Sequence, residues 1–442
     1  PECPDDSSLV DATKPYYIGQ PKQSDLAHSK EVFAFDEAEG ELKHTCLYDI
    51  HAELTSANRI IPFGGWAMPV CYNATSIACE HDAVRNAAAL FDVTHMGIFE
   101  FSGQGAARFL DLVTTNEVTS LPVGRVHYAF LLAPDGSIID DITLYRLAEE
   151  RFMMVVNASN AENVEAWLRG VNERRLIIDG DFPAKEVDAA ATIRNLKDDE
   201  AGGDQRVDLA LQGPHSLPLL ERMIECPDDL AKLRSLMRFS FITTELKGSK
   251  VILASTGYTG EPIGYEIYIH PDQAPKLWSA LLETGEDLGV IPSGLGARDS
   301  TRIEAGFPLY GHELAGPHSV SPAEAGYPFF VKLNKPFFVG RTAMVAHRQA
   351  RTKQVVRFEI DEKQARAVRT EDPVTDGNGT AVGYVTSCTR IGDKQIGLAY
   401  VNRSLRSTGT PLTIIPQPRT KREEARKPEP IEGNVIARFL KK

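Results

Sequence analysis

The chain has 442 residues, 42% hydrophobic and 25% charged, with a formal net charge of −13. That length supports two or three domains with ample core, and no run approaches the roughly 18 uncharged apolar residues of a membrane span. The acidic balance argues against a nucleic-acid or anionic-membrane partner held by bulk electrostatics. The start, Pro1-Glu2-Cys3-Pro4-Asp5-Asp6, lacks the basic and apolar regions of a signal peptide and the Arg-rich character of a transit peptide. Cys3, Cys46, Cys71, Cys79, Cys226 and Cys388 are scattered with no CxxC. They read as reduced, buried thiols of a cytoplasmic protein, not as a disulfide framework or a zinc site, and no metal site is expected.

Residues 1–45 are polar and irregular and read as an extension. Within them Lys14-Pro15-Tyr16-Tyr17-Ile18-Gly19-Gln20 echoes Lys335-Pro336-Phe337-Phe338-Val339-Gly340-Arg341, and the acidic residues 31–41 read as an exposed linker. The globular body starts near Thr45. Residues 60–69, with Gly64-Gly65 at their centre, read as a strand and tight turn that pack Trp66 into the core. Residues 80–89 are helical, with Val84 and Ala88 on one face, and lead through residues 90–97 into a strand at 98–101. His95 stands beside Met96, but no second His or Cys sits at ligand spacing, so it reads as a satisfied structural histidine. Residues 103–113 form an amphipathic helix.

Residues 127–157 carry the densest signal. Two β-rich runs, 127–133 and 138–145, flank Pro134-Asp135-Gly136-Ser137, in which Pro presets φ and Gly accepts positive φ, and a third run covers 152–157. The second run holds Asp140 and Asp141, which must point to opposite faces of a strand. Asp140 shares a face with Ile138, Ile142 and Leu144, and Asp141 shares the more polar one with Ile139, Thr143 and Tyr145. Alternation does not choose between them, but a carboxylate inside an apolar strand needs a partner or a task.

A helix at 161–170 follows Asn160 as its N-cap. Residues 208–212 are a strand, 216–223 a helix, 239–244 and 251–254 strands, and 255–261 a Gly-flanked turn holding Tyr258, with Glu266 on the opposing strand 265–269. Helix 274–282 precedes Gly294-Leu295-Gly296-Ala297-Arg298-Asp299. That GxGxxD lacks both the third glycine and a strong preceding strand, so it is not a dinucleotide fingerprint. Arg298, Asp299 and Arg302 fall in the first turns of a helix, where Arg298 taken alone reads as a salt-bridge partner. Beyond 343, short strands at 355–360, 381–386, 396–401, 411–415 and 435–440 describe a small β-barrel or sandwich, with a charge-rich solvated loop at 419–427.

Several collinear motifs together resemble the glycine-cleavage T-protein family, the tetrahydrofolate-dependent aminomethyltransferases. They are Phe63-Gly64-Gly65-Trp66-Ala67-Met68-Pro69, Phe91-Asp92-Val93-Thr94-His95-Met96-Gly97, Ile138-Ile139-Asp140-Asp141, Val155-Val156-Asn157-Ala158, Ser255-Thr256-Gly257-Tyr258-Thr259-Gly260-Glu261, residues 294–299, Leu309-Tyr310-Gly311 and Val331-Lys332-Leu333. The resemblance implies an α+β fold: a folate-binding region of two subdomains and a C-terminal β-barrel, set like a cloverleaf around a channel. The corresponding division is an extension at 1–45, the folate-binding region at 46–345 and the barrel at 346–442. By position, Asp141 matches the catalytic carboxylate, with Asp140 still open as the alternative. Glu266 and Arg298 match residues that grip the pterin and orient the substrate. Met96, Tyr128, Asn157 and Tyr258 match positions lining the folate cavity.

The implied reaction passes an aminomethyl group from the lipoyl arm of a carrier protein to tetrahydrofolate, yielding methylenetetrahydrofolate, ammonia and the reduced carrier. Lys332, Lys335, Arg341 and the 419–427 loop are candidates for holding the folate tail or an acidic carrier. Three departures bear on the donor more than on the folate site: the extension, an end at Lys441-Lys442 without the usual Pro-Phe-aromatic tail, and Cys388-Thr389-Arg390 where a Ser-Pro element is usual. The alternatives are a demethylase of the same fold acting on an O-, S- or N-methyl donor, and a non-enzymatic folate-binding or iron–sulfur-assembly factor. The pair Asp140-Asp141 favours the first reading over the demethylase, and the absence of a Cys-centred motif disfavours the binding factor. A folate domain detached from a flavin oxidase is weakened by the lack of a nucleotide-binding domain.

Overall fold

The computed structural model describes residues 30–35, 40–363, 365–376, 378–419 and 429–440. The echo at residues 14–20, nearly all of the 419–427 loop and the C-terminal lysines lie outside these. Alternating runs around the Pro134–Ser137 turn build a five-stranded antiparallel sheet in the order Val126–Leu132, Ile138–Ala148, Arg151–Val156, Gly97–Ser102, Thr192–Asn195. One face buries Phe99, Phe101 and Met154 against the helices Ala106–Val113 and Ala161–Asn172, with Phe109, Leu110, Trp167 and Leu168 at helical spacing.

A second sheet runs Phe241–Leu246, Ser249–Ala254, Gly264–Ile269, Val207–Gln212, Ala88–Asp92, Val290–Ser293. Its outer face packs Leu209, Leu211 and Ile267 on Trp278 and Leu281 of the helix Ala274–Thr284. The inner faces of the two sheets meet through Ile98, Tyr145, Met153, Ala254 and Tyr268. The last six strands close a barrel, Lys353–Ile360, Lys394–Asn402, Ala381–Ile391, Pro373–Thr375, Pro411–Ile414, Ile431–Ile436, around Phe358, Val385 and Leu412. The chain thus adopts the expected α+β architecture with a C-terminal barrel. No described helix is long and apolar enough to cross a membrane.

Local expectations differ from the structure in instructive ways. The helix expected at 80–89 is Ile77–Asn86, because Ser76 caps it by accepting from the Cys79 amide, and residues 88–89 already belong to a strand. A strand, Val290–Ser293, does precede Gly294; it pairs in parallel with Ala88–Asp92, and four residues interrupted by Pro292 gave too short a signal. Gly294 then lets the helix Leu295–Ala305 approach the backbone, since a Cβ there would stand 2.5 Å from the Val70 carbonyl. The linker reading of 31–41 fails at its start: Glu31 donates to and accepts from the backbone of Arg175 and Ile177, and Phe33 packs edge-on to Trp167 at 5.1 Å. The last strand ends at Ile436, earlier than expected. Cys46, Cys79 and Cys226 are exposed and Cys71 and Cys388 half-buried, so these free thiols are not the buried set anticipated.

Candidate active site

The turn that places the two carboxylates is not a plain hairpin. Leu131 faces Asp140 but Leu132 faces Ile138, so Ile139 is surplus and the strand bulges just ahead of the pair. The bulge breaks the alternation: Ile138 joins the apolar cluster near the barrel, whereas Ile139 turns into the sheet–helix core with Ile142 and Leu144. After it, alternation resumes. Asp140 faces the helix side and is wholly buried, at 0% exposure. Three N–H donors hold it: the Asn157 amide at 2.9 Å, Asn157 Nδ2 at 2.8 Å and Asn160 Nδ2 at 2.7 Å. Asn160, expected to cap the following helix, spends its side chain on Asp140 instead.

Asp141 points the other way and keeps partial exposure. Tyr128 Oη donates to its Oδ2 at 2.8 Å and Asn157 Nδ2 to its Oδ1 at 2.9 Å. Burial raises the Asp141 carboxyl above its ordinary range, against the pull of these two donors. Burial and the charge of Asp141 push Asp140 well up, against its three N–H contacts. Tyr128 sits among Phe130, Tyr327 and Phe330, with centroids 4.7–5.7 Å away.

The second sheet and its helix supply the other wall. The Arg298 guanidinium lies 5.4 Å over the Tyr258 ring. On its helix the arginine that makes ion pairs is Arg302, which is 1% exposed and meets Glu313 at 2.7 Å and Asp299 at 2.8 Å. The salt-bridge role anticipated for Arg298 therefore belongs to Arg302. Glu266, cross-strand from Ala254, accepts from Thr256 Oγ1 at 2.5 Å and from Tyr145 Oη at 3.4 Å. Both contacts use Oε2. Tyr258 donates to the Pro308 carbonyl, and burial holds its hydroxyl well above the ordinary range, with the charges of Arg302, Asp141 and Arg298 also acting on it. Met96 packs between the sheets, touching the inner clusters of both.

Each of Met96, Tyr128, Asp141, Asn157, Tyr258, Glu266 and Arg298 is half-buried, so none is sealed in the core. The donor set fits a reduced pterin: a carboxylate with a free oxygen for adjacent N–H groups, aromatic rings for the bicycle and a guanidinium for its carbonyl.

Other candidates resolve differently. Lys335 is 4% exposed, and its ammonium donates to the Asp111, Thr114 and Asn116 carbonyls. Arg341 is similarly sunk on the Leu333 and Lys335 carbonyls. Both brace the fold from buried positions. His95 is buried but not satisfied: its Nδ1 has no hydrogen-bond partner, and burial lowers the imidazole to about 3. Among the described residues no group of three or more His, Cys, Asp or Glu is arranged to hold a metal ion. Sequence reasoning missed Asn160, Thr256 and Tyr145, which act only through partners distant in the chain.

Known proteins resemble this chain in sequence and fold. The GCVT N-terminal domain matches residues 47–335, and the glycine cleavage T-protein C-terminal barrel domain matches residues 353–428. The chain belongs to the glycine cleavage T-protein family. Aminomethyltransferases of Halothermothrix orenii and Bacillus subtilis are 39% and 36% identical to it, over 85% and 84% of this chain and 96% and 94% of their own lengths. A crystal structure of glycine cleavage system aminomethyltransferase T from Bartonella henselae aligns with a TM-score of 0.72 at 28% identity, covering 90% of this chain and 97% of that one. The protein is accordingly an enzyme of the aminomethyltransferase class.

Proposed function

We propose that this enzyme moves the aminomethyl carbon from the lipoyl arm of a carrier protein to tetrahydrofolate, releasing ammonia, with Asp141 as the catalytic carboxylate. One observation carries the residue assignment: Asp140 is consumed by three N–H donors, whereas Asp141 stays partly open, oriented by Tyr128 and Asn157 and sensed by Tyr258. Tetrahydrofolate, when bound, supplies the nitrogen that accepts the carbon. Glu266 takes adjacent pterin N–H groups, Tyr258 stacks on the ring and Arg298 fixes its carbonyl. Asp141 orients the accepting nitrogen, stabilises positive charge on the carbon in transfer and holds the proton that leaves with the amine.

The test is an anaerobic assay with aminomethylated lipoyl carrier and tetrahydrofolate. Wild type releases ammonia, and Asp141→Asn loses about 10²–10⁴ in kcat while binding folate within a few-fold. The reaction needs the carboxylate, and burial raises its pKa. The acid limb of the wild-type profile therefore lies above the ordinary Asp value of about 4 and vanishes in Asp141→Asn. Turnover of an O-, S- or N-methyl donor, with no ammonia from the aminomethyl carrier, overturns the reading in favour of a demethylase.

A further inference from the structure

Beside Glu266 in the six-stranded sheet lies a buried carboxyl that the proposed reaction does not employ. Asp208 lies in the strand Val207–Gln212, where Val207, Leu209 and Leu211 enter the apolar core on Trp278. Its side chain takes the opposite face, the one shared with Tyr145. The register sets Tyr268 directly across from Asp208 and Glu266 two residues further along the same partner strand. Such a diagonal separates Cα atoms by about 7–8 Å, within the span of a bicyclic ring between two carboxyl side chains. Tyr268 Oη is 2.7 Å from Tyr145 Oη, which in turn reaches Glu266. Asp208 is 2% exposed, and its Oδ1 has no hydrogen-bond partner.

The charges around it include Glu266 and Arg298 of the proposed pterin end, and Lys197. Burial and the Glu266 carboxylate push Asp208 well above the ordinary carboxylate range, while Arg298, the Ile267 amide and Tyr268 pull the other way. A bare carboxyl oxygen in an apolar strand is a standing loss of stability, which a leucine like its neighbours would relieve. A ligand that met this oxygen would remove the loss. A neutral carboxyl offers one O–H donor and one C=O acceptor, the pattern an edge of alternating ring nitrogens and N–H groups requires. We propose that Asp208 is a second pterin-edge residue, whose Oδ1 completes with Glu266 a two-carboxyl contact to the ring nitrogens of the bound folate. This rests on the reading of Glu266 and Arg298 as the pterin end of the cavity.

Anaerobic calorimetry with tetrahydrofolate on wild type, Asp208→Leu, Asp208→Asn and Glu266→Gln, with melting curves of each, tests it. Asp208→Leu should weaken binding about tenfold or more, the loss of one or two hydrogen bonds, yet melt higher than wild type. Asp208→Asn, which keeps one donor and one acceptor, should bind within about threefold. Opposite signs on affinity and stability are what a purely structural aspartate cannot produce. Unchanged affinity in Asp208→Leu overturns the proposal, as does a lowered melting temperature that Asp208→Asn restores. If wild type binds and Glu266→Gln does not while Asp208→Leu does, this inference alone fails. If wild type gives no heat, the reading of the whole cavity fails with it.

Discussion

Asp140 and Asp141 differ by one position and by almost everything else. The first is a structural carboxyl whose three N–H contacts come from residues 157 and 160, and the second keeps an accessible edge. Replacing Asp140 by Asn turns an N–H group against donors and leaves buried polar groups unpaired. Asp140→Asn is expected to lose about 2–4 kcal/mol of stability in urea unfolding, whereas Asp141→Asn stays within about 1 kcal/mol. Equal losses in both would sink the division of labour. That two acids in an apolar run matter was legible in the sequence, and so was the more polar face of Asp141. Their roles were not legible, because the surplus Ile139 is visible only once Leu131 and Leu132 have found their partners. Asp208 was missed for a related reason: one acid in V-D-L-A-L looks like a solvated strand position until the sheet buries it.

Among elements, the helices starting at 161, 216 and 274 and the Pro-Asp-Gly hairpin were read close to their observed bounds, since their signals are local. The helix Ser216–Met223 has the bounds its periodicity gave. What failed was anything whose stabilising partner is remote: the parallel strand Val290–Ser293, the docking of Glu31, and the basic residues 335 and 341. Lysine in a polar turn suggests solvent. Here Lys335 instead gathers the carbonyls at the C-terminal end of the helix Ala106–Val113, where a cation also suits the helix dipole, and pairs with the Asp111 carboxylate at 3.3 Å. Burial lowers its ammonium to about 8, yet its partners keep it useful as a charged donor at neutral pH. Lys335→Gln is expected to cost about 2–4 kcal/mol in denaturant while leaving folate affinity and carrier KM unchanged. A raised carrier KM with unchanged stability would return Lys335 to the docking role suggested by sequence.

On the scale of the whole molecule, the cavity belongs to no single piece of chain. Tyr128, Asp141 and Asn157 come from the five-stranded sheet and its edge, Glu266 from the six-stranded one, and Arg298 from a helix fastened to the barrel. The fastening is a buried cluster: Arg302 Nη2 donates to Ser387 Oγ at 2.8 Å, and Ser387 Oγ donates to Glu313 at 2.6 Å. Breaking a buried ion pair by removing one charge commonly costs about 3–5 kcal/mol. Glu313→Gln should therefore uncouple barrel from body, so that calorimetry shows two transitions in place of one and folate affinity falls with the loosened Arg298 helix. A single transition with wild-type affinity would show that the barrel does not steady the site.

Ser387 reaches that cluster because its strand carries one residue more than its partner. Val385 faces Ala399 but Ser387 faces Leu398, so Thr386 is unmatched. The pairs beyond it, from Ser387 with Leu398 to Ile391 with Lys394, keep regular register, so the surplus residue is absorbed as a local kink of the strand. The barrel is thus keyed to the rest of the protein by a miscount of one. Length changes at its hairpin tips leave the key intact, whereas a one-residue deletion at Thr386, chemically trivial in itself, would straighten the kink beside Ser387 and strain its bond to Arg302, on the helix that also carries Arg298.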